Sequence, residues 1–224
     1  DGDSVVEWVK KLGRCEGLGT KMAEGAYRLA EAYGHPELAM TVKKQELPAY
    51  DPRGIQGQGL QYATSNRGGC HVRGYLISPE ILGLPEKLDR LEIKGKPQWV
   101  KIFQDLTAFI DSVGLCLFTS FALTVDDYAE MFSSVTGEKR TAADILEAGD
   151  RIWNIERMWN LKAGIDPSQD KLPKRLLDEP IADGPSKGQM SRLAELLPLY
   201  YQERGWDEKG IPTVNKLQAL GVPS

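Results

Sequence analysis

The residues best suited to chemistry gather in one stretch. Residues 47–78 hold six glycines (Gly54, Gly57, Gly59, Gly68, Gly69 and Gly74), three arginines (Arg53, Arg67 and Arg73) and three tyrosines (Tyr50, Tyr62 and Tyr75), with no lysine and no glutamate. Glycine lets backbone N–H groups approach a ligand closely, and arginine offers forked donors to phosphate or carboxylate. The sum points to an anionic ligand; a glycine-rich structural connection is the competing reading. His71 lies inside this stretch, beside Cys70 and two residues before Arg73. Imidazole can give or take a proton near neutral pH, although a lone loop histidine is more often a structural hydrogen-bonder. The only other histidine, His35, precedes Pro36 at a predicted helix end and reads as solvated.

Several familiar chemistries are excluded. Gly57-Gln58-Gly59 opens like a dinucleotide fingerprint, but Tyr62 stands at the third glycine position and no strand leads in. There is no Walker motif. The three cysteines, Cys15, Cys70 and Cys116, form no C-x-x-C pair, so spacing supports no metal site within the chain, and buried free thiols are the default expectation. Asp111 is unusual. It falls in the last turn of a predicted helix, three residues before Gly114, where a carboxylate opposes the helix dipole, and it sits in the most apolar stretch of the chain, residues 109–125. That stretch is expected to be buried core. A partner donating hydrogen bonds, such as a heterocycle N–H, would explain the carboxylate; an exposed or capped Asp is the alternative.

The elements that must position these residues are mostly helices. Val5, Trp8, Val9 and Leu12 share a helical face, with Asp3 or Ser4 as N-cap. A second helix is expected from about Thr20 to Tyr33. A third starts at Pro97 and carries Trp99, Phe103, Leu106, Ile110 and Val113 in steps of 4, 3, 4 and 3. Thr124 with Asp127, and Thr141 with Asp144, mark two further starts; Gly137 and Gly164 mark the stops. The second of these helices carries the stripe Ile145, Ala148, Ile152, Ile155 and Trp159. Leu193, Leu196, Leu197 and Tyr200 mark another helix with Pro198 as a kink, and a short one lies between Pro212 and Gly221. Strand patterns are limited to residues 74–77 and 91–93. Residues 163–188, with Pro167, Pro173, Pro180 and Pro185, read as a surface connection; residues 87–96 read as a solvated charged face. Residues 47–78 read as one long loop, ordered by its tyrosines.

The 224 residues carry 41% hydrophobic side chains and a net charge of −4. A main description as disorder, a basic nucleic-acid footprint and a disulfide framework are thereby excluded. The apolar stretch is too short and too polar to cross a membrane, and no secretory signal opens the chain. Free thiols fit a reducing compartment, so a cytoplasmic protein is expected.

Three runs carry a resemblance. Tyr50-Asp51-Pro52-Arg53, then Tyr62 to His71 with Arg67-Gly68-Gly69-Cys70 inside it, then Asp111-Ser112-Val113-Gly114-Leu115-Cys116, resemble the aldehyde ferredoxin oxidoreductase family. The segments Gly17 to Gly25 and Gly205 to Thr213 fit as well, so the resemblance covers nearly the whole chain. The Asp-x-x-Gly-Leu-Cys motif is its most specific part. The resemblance implies a mostly α fold, a helical domain with a long glycine-rich active-site segment, divided into a helical lead-in (1–46), a cofactor-facing segment ending in the motif helix (47–118) and a helical remainder (119–224).

The resemblance also implies roles. Asp111 would meet a pterin through its carboxylate and Leu115 through its backbone; Arg73 matches a basic pterin-contacting position where relatives carry lysine. Cys116 would be the fourth ligand of a four-iron four-sulfur cluster. His71 would stand beside a tungsten (or molybdenum) bis-pterin and handle the aldehyde or a proton, with Tyr50 as a hydrogen-bond donor in the same cavity. The partners implied are an aldehyde, ferredoxin and the N-terminal part of the same protein, with no nucleic acid and no membrane, and a homodimer is allowed. The family's upstream C-x-x-C-x-x-x-C motif, its β-rich domain and the first copy of Asp-x-x-Gly-Leu are absent from these residues, so the chain is expected to be a C-terminal portion that is inactive alone. Two rivals stand beside this: a non-catalytic anion-binding module using Arg53, Arg67 and Arg73, and a helical assembly domain.

Overall fold

The computed structural model describes residues 1–223 and is mostly α, as expected. Three short helices open it: α1 (Gly2–Gly13), α2 (Leu18–Met22) and α3 (Ala26–Ala32). The single helix expected over residues 20–33 is two, because Gly25 turns the chain at a φ of 89° between them. A two-rung antiparallel hairpin follows, β1 (Thr41–Val42) with β2 (Gln45–Glu46), pairing Thr41 with Glu46 and Val42 with Gln45. It is the only sheet among the described residues. The strands expected at 74–77 and 91–93 do not form; the first leads into a π-helical turn over Ser78–Leu82.

The stretch expected as one long loop contains α4 (Gln56–Thr64), whose nine residues are all buried. A helix buried on every side has no amphipathic stripe to betray it. Its N-terminal N–H groups are satisfied from outside: Glu80 accepts from Gly57 N and Gln58 N at 2.9 Å each. Lys96 pairs with Glu80 and donates to Asp89 O at 2.7 Å. The expected solvated face at 87–96 thus ends in a buried lysine, 2% exposed.

The centre of the molecule is α5 (Lys96–Ser112), packed by α4, α7 (Ala142–Lys162) and α9 (Leu193–Arg204). Its contact with α7 is a backbone approach: a Cβ on Gly149 would lie 1.9 Å from Asp105 O. The face of α7 turned inward is Ile145, Gly149, Asp150, Trp153, Asn154 and Arg157. The apolar spacing pointed elsewhere; Ile155 and Trp159 are exposed, Trp159 by 71%. Both α6 (Val125–Thr136) and α7 begin in capping boxes, at Thr124 with Asp127 and Thr141 with Asp144, and α6 ends at Gly137 in left-handed conformation, as read.

The remaining elements are α8 (Lys174–Asp178) and α10 (Val214–Ala219). The connection over 163–188 is largely superficial, yet Asp170 in it is buried, taking Arg157 (3.1 and 2.6 Å), Lys43 (2.9 Å) and the Tyr201 hydroxyl (2.8 Å). A second ion cluster joins Arg204 to Asp105 and Asp150, with the guanidinium over the Trp153 ring at 5.1 Å. No helix among the described residues is long and apolar enough to cross a membrane.

Candidate active site

One face of the molecule collects the predicted residues. After α4 the chain turns at Gly68 and returns through Cys70, His71 and Arg73 along the end of α5. Tyr50, from the segment before α4, meets His71 edge-on with ring centroids 5.6 Å apart. Tyr75 completes the group. Its hydroxyl lies 3.1 Å from that of Tyr50, and its ring is 5.6 Å from His71. Burial, and then the charge of Arg67, holds the His71 imidazole below its ordinary value, so it is neutral at pH 7 and can accept a proton or hydrogen bond. Burial, reinforced by the Tyr50 hydroxyl, pushes the Tyr75 phenol up to about 12, so it remains a donor.

Arg73 binds the two halves of this face together. It donates to Asp111 Oδ2 at 2.8 Å from one side and to Glu156 of α7 from the other. Asp111 is therefore not the buried, partnerless carboxylate its apolar neighbours imply. It is 40% exposed at the end of α5, and Arg73 offsets its unfavourable place on the helix dipole. Its second oxygen accepts from no donor among the described residues. Gly114, at a φ of 76°, then reverses the chain, and Leu115 and Cys116 follow on the surface.

Most of residues 111–125 is likewise surface and not core, with Phe118 66% exposed; only Phe109 and Ile110 at the start are buried. Of the three cysteines, Cys70 alone is buried; Cys15 and Cys116 are exposed. Cys70 Sγ accepts from Arg67 Nε at 3.1 Å and Nη2 at 2.9 Å. With Arg73 between two carboxylates and Arg53 on Asp51, the three arginines are engaged within the protein. Arg67 is the exposed one of the three, and its partner is a thiol and not a carboxylate.

Sequence reasoning missed Glu156, Tyr75 and Phe121. Glu156 is an ordinary helix carboxylate by spacing, and nothing local ties it to Arg73. Tyr75 stood in the glycine-rich stretch in plain sight, a signal read only as evidence of order. Its ring also packs on Phe121 at 5.7 Å, and Phe121 stacks on Phe118. Those rings belong to the 3₁₀ turn Leu117–Phe121, which starts at Cys116. The aromatic cluster thus links the His71 side of the face to the Cys116 side.

A family model described as aldehyde ferredoxin oxidoreductase, domains 2 and 3, matches residues 1–222. The tungsten-containing aldehyde ferredoxin oxidoreductase of Pyrococcus furiosus is 57% identical over 217 residues, 96% of this chain and 36% of the relative. That of Thermococcus kodakarensis is 54% identical over the same shares. The WOR-like subunit of an aliphatic sulfonate oxidoreductase of Pyrococcus furiosus is 28% identical over 92% of the chain. Among solved structures, the active site complex BamBC of benzoyl coenzyme A reductase superposes with a TM-score of 0.71 at 18% identity, covering 96% of this chain and 38% of that one, which is a likeness of fold. The chain spans about a third of the length of the curated relatives it matches.

Proposed function

The chain belongs to the aldehyde ferredoxin oxidoreductase family, spanning its domains 2 and 3, and from that premise we propose that it forms the helical part of a tungsten-pterin, iron–sulfur enzyme that oxidises aldehydes to carboxylic acids. The overall change is aldehyde plus water to carboxylic acid, releasing two electrons and two protons, with ferredoxin as the electron acceptor. The observation that carries the reading is the run of contacts that joins Tyr50 to His71 and Arg73 to Asp111, and through Tyr75 and Phe121 reaches the turn that follows the exposed Cys116.

The residues suit one wall of the cofactor site. Asp111 keeps a carboxylate oxygen free for a ring N–H donor, and its anion is held in place by Arg73. Leu115 follows a left-handed glycine and lies exposed, with its N–H donating to Ile110 O at 3.1 Å. Cys116 offers an exposed, unpartnered thiol, a soft ligand suited to iron–sulfur chemistry. No group of three or more His, Cys, Asp or Glu that could hold a metal exists among the described residues. One thiolate cannot hold a cluster that normally takes four, so this chain supplies one cysteine and the N-terminal part of the protein supplies the rest. The chain alone is inactive in this proposal.

When bound, the tungsten-pterin group supplies the two-electron redox chemistry and the cluster the path outward. The chain's own residues act on the substrate. Tyr50 donates a hydrogen bond to the aldehyde oxygen, and neutral His71 orients the substrate and accepts a proton from the adding water or the product acid. Residues 47–118 form the cofactor-facing segment, between a helical lead-in (1–46) and a helical remainder (119–224).

Metal analysis of the full-length protein and of this chain, each expressed with tungstate, tests the reading. Tungsten with about four irons in the full-length protein, and neither in the chain alone, is the expected result. A full-length protein without tungsten would sink it, and tungsten retained by the isolated chain would overturn its division of the site.

A further inference from the structure

Tyr75 has the contacts of a working part of the site. It touches Tyr50 through a hydroxyl pair at 3.1 Å, His71 through rings 5.6 Å apart, and Phe121 at 5.7 Å. The direction of the hydroxyl pair follows from where each proton would otherwise go. Tyr50 is 37% exposed and opens toward the face where substrate would bind. Tyr75 is more enclosed, and among the described residues its hydroxyl has no hydrogen-bond partner other than Tyr50. If Tyr50 donated, the Tyr75 proton would be stranded in a half-buried place, at the cost of an unmade hydrogen bond. If Tyr75 donates, both are satisfied, and Tyr50 keeps its own proton for a ligand. A second observation points to the same space. The Tyr62 hydroxyl is buried with no partner and lies within electrostatic reach of Tyr50, Tyr75 and Cys70.

We propose that Tyr75 is a positioning residue, whose hydroxyl donates to the Tyr50 oxygen so that the Tyr50 proton points at the substrate oxygen, while its ring fixes the His71 imidazole and the turn that follows Cys116. The proposal rests on the aldehyde-oxidising reading and deepens it. Donation into a phenol oxygen polarises that phenol, so its own proton becomes a better donor. Tyr75 thereby strengthens Tyr50 without touching substrate. It also ties the substrate-handling residues to the turn that follows Cys116, because its ring packs on Phe121, which in turn stacks on Phe118.

The test uses the full-length enzyme with its cofactors. Tyr75→Phe keeps the ring and removes the hydroxyl. It is expected to lower kcat/KM for an aliphatic aldehyde about tenfold, the size of one hydrogen bond, with unchanged tungsten and iron content. Tyr50→Phe is expected to lower it at least as far, and the double variant no further than Tyr50→Phe alone, because Tyr75 acts through Tyr50. A packing readout independent of turnover accompanies this. Carbethoxylation of His71 by diethyl pyrocarbonate, followed by peptide mass spectrometry with added N-acetylhistidine as the freely accessible reference, is expected to run at the wild-type rate in Tyr75→Phe and several times faster in Tyr75→Leu. Wild-type kcat/KM in Tyr75→Phe, or losses that multiply in the double variant, would overturn the hydroxyl's role. An unchanged His71 rate in Tyr75→Leu would overturn the ring's. A tungsten-loaded wild type that oxidises no aldehyde defeats the parent reading instead, and the labelling rates then decide the ring's role unaided.

Discussion

Two titratable groups, Asp170 and His71, respond to the fold in different ways. Asp170 is a structural anion. Burial pushes its carboxyl up, but Lys43 and Arg157 outweigh burial and hold it below the usual range. Replacing it with Asn leaves two cations, each at most 3% exposed at the side chain, without their counter-ion. The expected cost is about 3–5 kcal/mol, seen as loss of soluble protein and of helical circular dichroism. His71 is different, because it is only partly buried and an ordinary imidazole titrates close to neutral pH. Its imidazole is held below the ordinary 6.5 by burial and by Arg67. The fold therefore favours the neutral ring, and that contribution is complete above the unfolded value and lost as pH falls below 6.5 toward the folded one. In the full-length enzyme kcat/KM is expected to fall on the acid side with an apparent pKa under 6.5. His71→Asn should lower the rate and abolish that limb; a limb that survives the substitution would assign the proton to another group.

At the scale of elements, the closest packing is where α5 and α7 cross. Gly149→Ala drives a methyl into the Asp105 carbonyl, an α5 backbone atom that cannot rotate away. The helices must part, at about 3 kcal/mol, and amide exchange in peptides from both helices should quicken about a hundredfold. Thr141→Ala removes one half of the α7 capping box and should cost about 1 kcal/mol, with the faster exchange confined to the first turn. These two changes also mark what the sequence discloses. The caps of α6 and α7 were readable because the cap chemistry is local: a Thr and an Asp three residues apart. The Gly149 contact was not, because its partner is 44 residues away on α5 (149 − 105). Helix α4 was hidden for a related reason. Its glycines argue against helix by propensity, and what stabilises it is the Glu80 carboxylate and Lys96 closing on its N-terminus. The site shows the same division. Asp111 to Cys116 is a contiguous motif and could be read; the partners that hold it, Arg73 with Glu156 and Tyr75 with Phe121, come from three different elements and share no spacing.

The whole molecule is asymmetric in its covering. The ion clusters and aromatic core around α5, α7 and α9 are closed, whereas the lead-in and the site face carry bare apolar residues. In the lead-in, no residue of α1 is buried, and Val5, Val6 and Val9 face outward. Beside them a groove of about 680 Å³ runs between α1 and α3, lined by Trp8, Met22, Leu29, Tyr33, Leu38 and Met40. On the site face, Val113, Leu115 and Phe118 are exposed around Cys116. Patches of this kind seldom stay wet on a monomer. In the proposed enzyme they are inward surfaces, covered by the remaining two thirds of the protein and its cofactors, which also explains why the residues of the Asp-x-x-Gly-Leu-Cys motif sit on the outside of this chain. The isolated chain is therefore expected to bind a hydrophobic fluorescent dye and to sediment as concentration-dependent oligomers above its 24.9 kDa monomer mass. Val9→Glu should reduce the association arising at the lead-in, and Phe118→Ser that arising at the site face. The full-length protein should bind little dye, because the same surfaces are then interior. A chain that sediments as a dye-free monomer would mean that these faces are tolerated in water, and the chain would then be an independent domain and not one wall of a shared site.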